Sequence, residues 1–344
     1  MSEGILTVEV AMQVGINYAW RNYAWDFGEP PASDGGAAWG ARAAWSATIE
    51  EELREFKLLG LAVLRWFLLA DGTTYGIGSQ RPVPDAQRPG QWRFHEVPSL
   101  SDSWLDDLTR LLASCEAQQI QLLPSIIDFH FCFPGVSVAG APLVKCGRSD
   151  VVVDPHKRRQ FFERVVDPII AVCQRFPETI YALELINEPE WCTDDATYQS
   201  DKKVVPLASM LEFISEGAAR INRAGFRSTV GFAKHPSMKA WDAPGLGLTL
   251  HQWHYYCDPE LIPDNDMAGH GPCIVGEFPS ARWHAWRELG DAQDTRSRLA
   301  LLAGKGYDGA LLWSANREEE KIADPVVEWS ERVRDEVAAF IAGR

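Results

Sequence analysis

The sequence has no basic run. Its 33 Lys and Arg residues are outnumbered by 48 Asp and Glu, for a formal charge of −15. A surface of that sign repels nucleic acid and anionic membranes, so neither is expected as a partner. Seven cysteines are present, and none stands in a CxxC pair, which argues against a zinc knuckle or a redox motif. No HxH or HExxH spacing occurs, so the usual metal-hydrolase ligand patterns are missing. No glycine-rich turn follows the first strand-like segment, and no other phosphate loop is present; an open dinucleotide-binding sheet is disfavoured. No cofactor is expected. No window is apolar enough and long enough for a membrane span. The stretch MSEGILTVEVAMQVGINYAW has neither the basic region nor the long apolar region of a signal peptide. The expectation is a cytoplasmic protein, or a secreted one whose leader has been removed.

What is present fits one large α/β domain. Hydrophobic residues make up 46% of 344 residues, enough for a sizeable core, and the length suits a single (β/α)8 barrel. Strand-like and helix-like segments alternate throughout. Strands are expected at 12–20, 61–69, 120–131, within 181–191 and ending at Glu188, 227–233, 248–256, 272–278 and 309–315. Helices are expected at 48–60, 103–118, from 155 onward, 206–223, near 291–304 and at 324–341. Thr48 and Glu51 read as a capping box, and Gly60 as the end of the first helix. Asp154-Pro155 reads as an N-cap with proline at the first helical position, and Pro168 should kink the helix that follows. Cys115 and Cys173 fall on apolar helix faces, and a disulfide between Cys146 and Cys192 fits the loop positions. No linker or internal repeat divides the chain, so one domain over 1–344 is expected. Eight strands with helical crossovers imply a parallel sheet closed into a (β/α)8, or TIM, barrel.

Two connections are long: residues 21–47 after the first strand and 71–100 after the second. Long segments without regular structure are uncommon unless functional. Both follow the C-terminal strand ends, where barrel enzymes build their sites. Both carry Trp and Tyr, whose flat faces can stack on the C–H face of a pyranose ring.

The fourth strand ends in YALELINEPEW. Carboxylates seldom close a core strand without a partner or a task. Glu188 ends this strand, and Glu277 ends the seventh, PCIVGEF. In a closed barrel both stand over one mouth, and a pair of carboxylates is what glycosidic cleavage uses.

LELINEP followed by IVGEF resembles glycoside hydrolase clan A, and most of all glycoside hydrolase family 5. The resemblance implies that Glu188 is the acid/base, Glu277 the nucleophile, and Asn187 a contact to the sugar 2-hydroxyl. It further implies that Arg65 in VLRWF supports the nucleophile and that His130 in IIDFHF stands by the first sugar site. By the same resemblance, His254 and Tyr256 in HYY match a strand-six His-x-Tyr, and Trp313 in LLWSA forms the floor of the sugar subsite. The substrate implied is a β-linked oligosaccharide or glycoside, a β-glucoside or β-mannoside, cleaved with retention.

On physical grounds alone, Glu277 should be ionised beside Arg65 and donors such as Tyr256 or His254. Glu188 should hold a proton, its pKa raised by the charge of Glu277. Glu184 lies lower on the fourth strand, facing inward, and reads as a structural partner of Arg65. Glu190, beyond Pro189, should point off the mouth. Asp128 fits a barrel ion pair as well as a substrate contact. Two other readings compete: a metal-dependent hydrolase using His130, Asp128, His254 and the glutamates, and a carbohydrate-binding barrel without catalysis.

Overall fold

A computed structural model describes residues 11–20, 26–28, 42–73, 75–76, 82–86, 90–137, 144–195, 202–256, 259–267, 269–280, 283–284, 287–288, 294–315 and 329–344. Eight parallel strands form the central sheet: β1 Gln13–Asn17, β2 Val63–Phe67, β3 Gln121–Asp128, β4 Leu183–Asn187, β5 Ser228–Gly231, β6 His251–His254, β7 Cys273–Pro279 and β8 Gly309–Trp313. Their order around the sheet runs β6-β7-β8-β1-β2-β3-β4-β5. The ring closes between β5 and β6 through Phe232, which bridges Trp253. Phe232 donates to the Gln252 carbonyl at 3.2 Å and accepts from the His254 amide at 2.8 Å. Helices fill the crossovers, and the architecture is the (β/α)8 barrel expected.

Period-two alternation sorts the barrel interior into layers. Val63, Leu123, Ala182, Leu250, Ile274 and Leu311 pack as an apolar plug inside the lower barrel. Two residues further along their strands come Arg65, Ser125, Glu184 and Gln252, a buried polar layer. Above these lie the strand ends that line the mouth. Gly231 makes room in the polar layer. A Cβ there would stand 2.9 Å from Gln252 Nε2, Glu184 Oε1 and His254 Nε2. The larger hydrophobic core lies outside the barrel, between strands and helices.

Several local expectations change. The first helix runs Arg42–Leu58, so Thr48 lies inside it and forms no N-terminal capping box. Ala43 and Ala44 extend the helix upstream of the local signal, and the first long connection is shorter than 21–47. Its Tyr23, Trp25 and Trp39 lie outside the described residues, as does the side chain of Trp45. In the second connection Tyr75 is packing rather than a sugar platform: it is buried against Phe131 and Phe161. The Asp154 cap forms, its side chain accepting from the His156 and Lys157 amides. The disturbance expected at Pro168 appears one turn earlier as a π-helical stretch, Phe162–Val166, in which the Asp167 amide reaches back to Phe162. Proline has no N–H to continue the regular ladder, and the wider turn takes up the fault. The helix before β8 begins at Thr295 behind an Asp294 cap. The last helix begins at Glu331 behind Ser330, later than expected, because Ser330 supplies a stronger start than the preceding residues; 324–328 lie outside the described residues. Cys146 and Cys192 are free thiols. The thiol of Cys192 faces Cys132 instead.

Candidate active site

Strand register gathers the predicted residues at one level. Asn17 is paired with Arg65 and with Trp313, Asp128 with Asn187, and His254 with Glu277. Apart from Arg65, which lies mid-strand in the polar layer just below, these stand at or near the C-terminal strand ends, on the barrel face that carries sites in this architecture.

Arg65 is the hub. Its side chain is wholly buried. Nε and Nη2 each donate to Glu184 at 2.7 Å, and Nη1 donates to Glu277 Oε1 at 2.6 Å. Asn17 and Asn187 each accept through Oδ1, at 2.8 and 2.7 Å. Burial weighs against the guanidinium charge, but Glu184 and Glu277 outweigh it, and the pKa rises above its ordinary value. Glu184 is thus the inward structural partner anticipated from its spacing. It also accepts from Ser125 Oγ at 2.9 Å and from Gln252 Nε2 at 3.0 Å.

Glu277 is buried at the end of β7. One oxygen takes the Arg65 bond, and the other accepts from the Tyr256 hydroxyl at 2.9 Å. Burial raises its pKa, while His254 and Arg65 pull in the opposite direction. Of the two facing carboxyls, this is the one with a guanidinium against it.

Glu188 follows β4 with φ +44°, a left-handed conformation that costs a non-glycine residue about 1–3 kcal/mol and tends to occur at functional sites. Its side chain is 15% exposed. Trp191 Nε1 donates to Oε2 at 3.0 Å, and His254 Nδ1 lies 2.7 Å from Oε1. Burial pushes its pKa up to about 7, and the charge of Asp128 adds to this. The cause differs from the expected one. The leading neighbouring charge is Asp128 on the adjacent strand β3, not Glu277. Burial lowers the pKa of His254 to about 4, so its imidazole is neutral near pH 7. His254 Nδ1 also lies 3.5 Å from Glu277 Oε1.

Asn187 is fixed in orientation by opposite demands. Its Oδ1 must face the Arg65 donor, and its Nδ2 donates to Asp128 Oδ2 at 2.8 Å. One amide N–H remains for a substrate. Asp128 therefore holds Asn187 on one side and His130 on the other, accepting from both the His130 backbone amide and its ring. His130 sits on the turn after β3, with 45% of its side chain exposed. Burial opposes its charge, but the Asp128 contact prevails and raises its pKa. Trp313 ends β8 half-buried, edge-on to Trp20 and Phe67 at 6.2 Å each. The three rings give the mouth an apolar wall. Glu190 is buried and turned away from the mouth, as expected.

The sequence reading missed Asn17, Gln252 and Trp191. Asn17 and Gln252 are single polar residues in otherwise apolar strands, a signal that inward register alone would have exposed. Trp191 stood in the same NEPEW stretch.

Donor atoms of Glu188, His254 and Glu277 all lie within 4.8 Å of one another, a set that could hold a metal ion. A cation there would face the Arg65 guanidinium across Glu277, and like charges at that range repel. With one oxygen of each carboxyl within 4.8 Å of the other, the two also stand close enough to serve one bond, as in glycosidase pairs that act with retention, about 5–5.5 Å apart. Among the described residues, no helix is long and apolar enough to cross a membrane.

No family model matches the chain, and a search of the curated proteins finds no match. Solved structures do match. An endo-1,4-β-mannanase from Eisenia fetida aligns over 97% of this chain and 91% of its own, with TM-score 0.69 and 18% identity. A β-mannanase from the blue mussel Mytilus edulis aligns over 96% and 92%, with TM-score 0.64 and 18% identity. An exo-β-1,4-mannosidase from an Opitutaceae bacterium aligns over 96% of this chain and 59% of its own, with TM-score 0.59 and 15% identity. The chain therefore shares its (β/α)8 barrel fold with these proteins.

Proposed function

We propose that the protein is a retaining β-glycosidase, a glycoside hydrolase acting by double displacement, with Glu188 as acid/base and Glu277 as nucleophile. The observation that carries this reading is the pairing of two unlike carboxyls within 4.8 Å. One is pressed against a guanidinium, and the other is pushed up to about 7 by burial. Burial raises both carboxyls, but only Glu277 has the Arg65 guanidinium bonded to it, and that contact favours the ionised form a nucleophile needs.

In the first step a Glu277 oxygen attacks the anomeric carbon, and the Glu188 proton passes to the departing glycosidic oxygen. A glycosyl ester on Glu277 results, and its formation removes the Glu277 charge. Glu188, now a carboxylate, takes a proton from water as the water oxygen attacks the same carbon. Glu277 leaves as a carboxylate, and Glu188 is reprotonated. Arg65 and Tyr256 keep Glu277 aligned. The free N–H of Asn187 meets the sugar 2-hydroxyl, a bond that strengthens as positive charge develops on the ring. Trp313 is the apolar floor of that subsite, and His130 stands beside it.

A β-mannoside is the first choice of substrate because the structures sharing this fold are named as β-mannanases and a β-mannosidase; a β-glucoside is the second. The test is a panel of aryl β-glycosides with the wild-type protein and with Glu277→Ala. Activity on one sugar that vanishes in Glu277→Ala, with azide then giving the α-glycosyl azide, is the expected result. Unchanged turnover by Glu277→Ala removes it as nucleophile. Activity lost to a chelator and restored by a divalent ion would instead favour a metal centre at Glu188, His254 and Glu277.

A further inference from the structure

Glu190 lies two residues beyond the proposed proton donor and has no part in the chemistry above. It belongs to the 3-10 turn Pro189–Trp191, and none of its surface is exposed. Its carboxyl crosses to the neighbouring connection, where both oxygens accept from the Ala233 amide, at 3.0 and 3.2 Å. Ala233 directly follows Phe232, the residue that closes the barrel between β5 and β6. The Glu190 carboxyl therefore ties the turn carrying Glu188 to the closing joint of the ring.

Other bonds leave that turn few ways to move. The Glu188 amide donates to the Gly231 carbonyl at 2.7 Å. Thr193 Oγ1 and Cys192 Sγ both reach the Pro189 carbonyl, at 2.7 and 3.3 Å. Glu188 holds a left-handed backbone that persists only where its surroundings impose it. The Glu190 tie is the member of this set that comes from a side chain of the turn itself and reaches another strand's connection.

A carboxyl is a costly group with which to satisfy one buried amide, because its charge must leave water. Glu188 faces it from its own turn, Ser237 from helix His235–Ala240, and the Ala233 amide from the β5 connection. Burial, with the Glu188 charge adding to it, pushes the Glu190 pKa up to about 8. Near neutral pH the group is therefore protonated and anchors the turn without placing a second charge behind Glu188.

We propose that Glu190 is a positioning residue for proton delivery, fixing the Glu188 turn against the joint between β5 and β6 so that the acid meets the departing oxygen. This rests on the reading of Glu188 as the proton donor.

The test uses two glycosides of the preferred sugar. One has a 2,4-dinitrophenyl leaving group, which departs without a proton. The other has an alkyl leaving group, which needs one. Glu190→Ala should lower kcat/KM, which reports only the first step, on the alkyl glycoside about tenfold or more and on the dinitrophenyl glycoside by less than about threefold. On the alkyl glycoside, whose first step is slow, KM should stay within about twofold, since the sugar contacts are untouched. Glu190→Gln should recover most of the loss, because its amide oxygen still accepts from Ala233 and adds no charge. If Glu190→Ala fails to fold, Glu190→Asp, one methylene short of Ala233, takes its place in the same comparison. Equal losses on both glycosides, or no recovery by glutamine, would overturn the proposal. Glu188→Ala is measured in parallel. If its losses do not depend on the leaving group, the acid assignment fails and the positioning role falls with it. If they do and those of Glu190→Ala do not, the positioning role alone fails.

Discussion

Replacing Arg65 with methionine keeps most of the side-chain volume and removes the charge at the centre of the barrel. Arg65 makes five hydrogen bonds, two to Glu184, one to Glu277 and one each to Asn17 and Asn187, all between 2.6 and 2.8 Å. Both carboxylates are buried. Truncating one partner of a buried pair costs about 3–5 kcal/mol, because the other charge is left uncompensated. Unfolding entropy is about 2.1 cal/mol/K per residue, or roughly 0.7 kcal/mol/K for 344 residues, so Tm should fall by about 4–7 °C. Calorimetry at pH 7 measures this, with kcat/KM recorded on the same samples. Adding Glu184→Gln to Arg65→Met should restore part of the lost stability, because it deletes the stranded charge. The same change in the wild-type protein should destabilise. That reversal of sign is specific to a buried charge pair, since loss of packing alone would make the two changes additive. A Tm within about 1 °C of wild type for Arg65→Met, or simple additivity in the double variant, would refute the account.

Two further outcomes follow from the same geometry. Glu188 must carry its proton to act as acid and its pKa is raised to about 7; kcat/KM should hold below that pH and fall as pH rises through it. Glu188→Gln should lose turnover of alkyl glycosides and lose that alkaline limb on activated ones; a pH profile unchanged in Glu188→Gln would exclude it as the titrating group. Gly231→Ala places a methyl 2.9 Å from three polar atoms of the buried layer. Overpacking there should cost about 1–3 kcal/mol, read as an earlier midpoint in urea; an unshifted midpoint would mean that the layer yields.

The two glutamates were legible because each ends a run of apolar residues, where a carboxyl has no structural excuse. Glu184 was legible by period two. What could not be read was which strands stand side by side. The pKa of Glu188 was assigned to Glu277, but the ring places β3 beside β4 and sets β7 three strands away, beyond β5 and β6. Asp128 therefore exerts the larger field. The cysteines teach the same lesson: Cys192 follows β4 and meets Cys132 after β3, not Cys146 further along the chain. Asn17 and Gln252 drew no notice because one polar residue in an apolar strand is unremarkable until its partners arrive from other strands. The first helix start was misplaced because Thr48 and Glu51 imitate a cap inside a helix already under way.

The joint between β5 and β6 has a bearing on stereochemistry. Around the ring, the short arc from Glu188 on β4 to Glu277 on β7 passes through β5 and β6. That arc includes the joint held by Phe232 at its upper end and by Ser228, whose carbonyl accepts from the Thr249 and Leu250 amides, at its lower end. The gap between the two carboxyls, which decides whether a glycosidase keeps or inverts the anomeric configuration, is thus measured across the least extensively laddered part of the barrel. His254 spans the same arc from its middle, within 2.7 Å of one carboxyl and 3.5 Å of the other. An imidazole that is neutral and wedged between them acts as a spacer. On the proposed reading, the product's handedness then depends on the width of one side chain as well as on the acids that flank it.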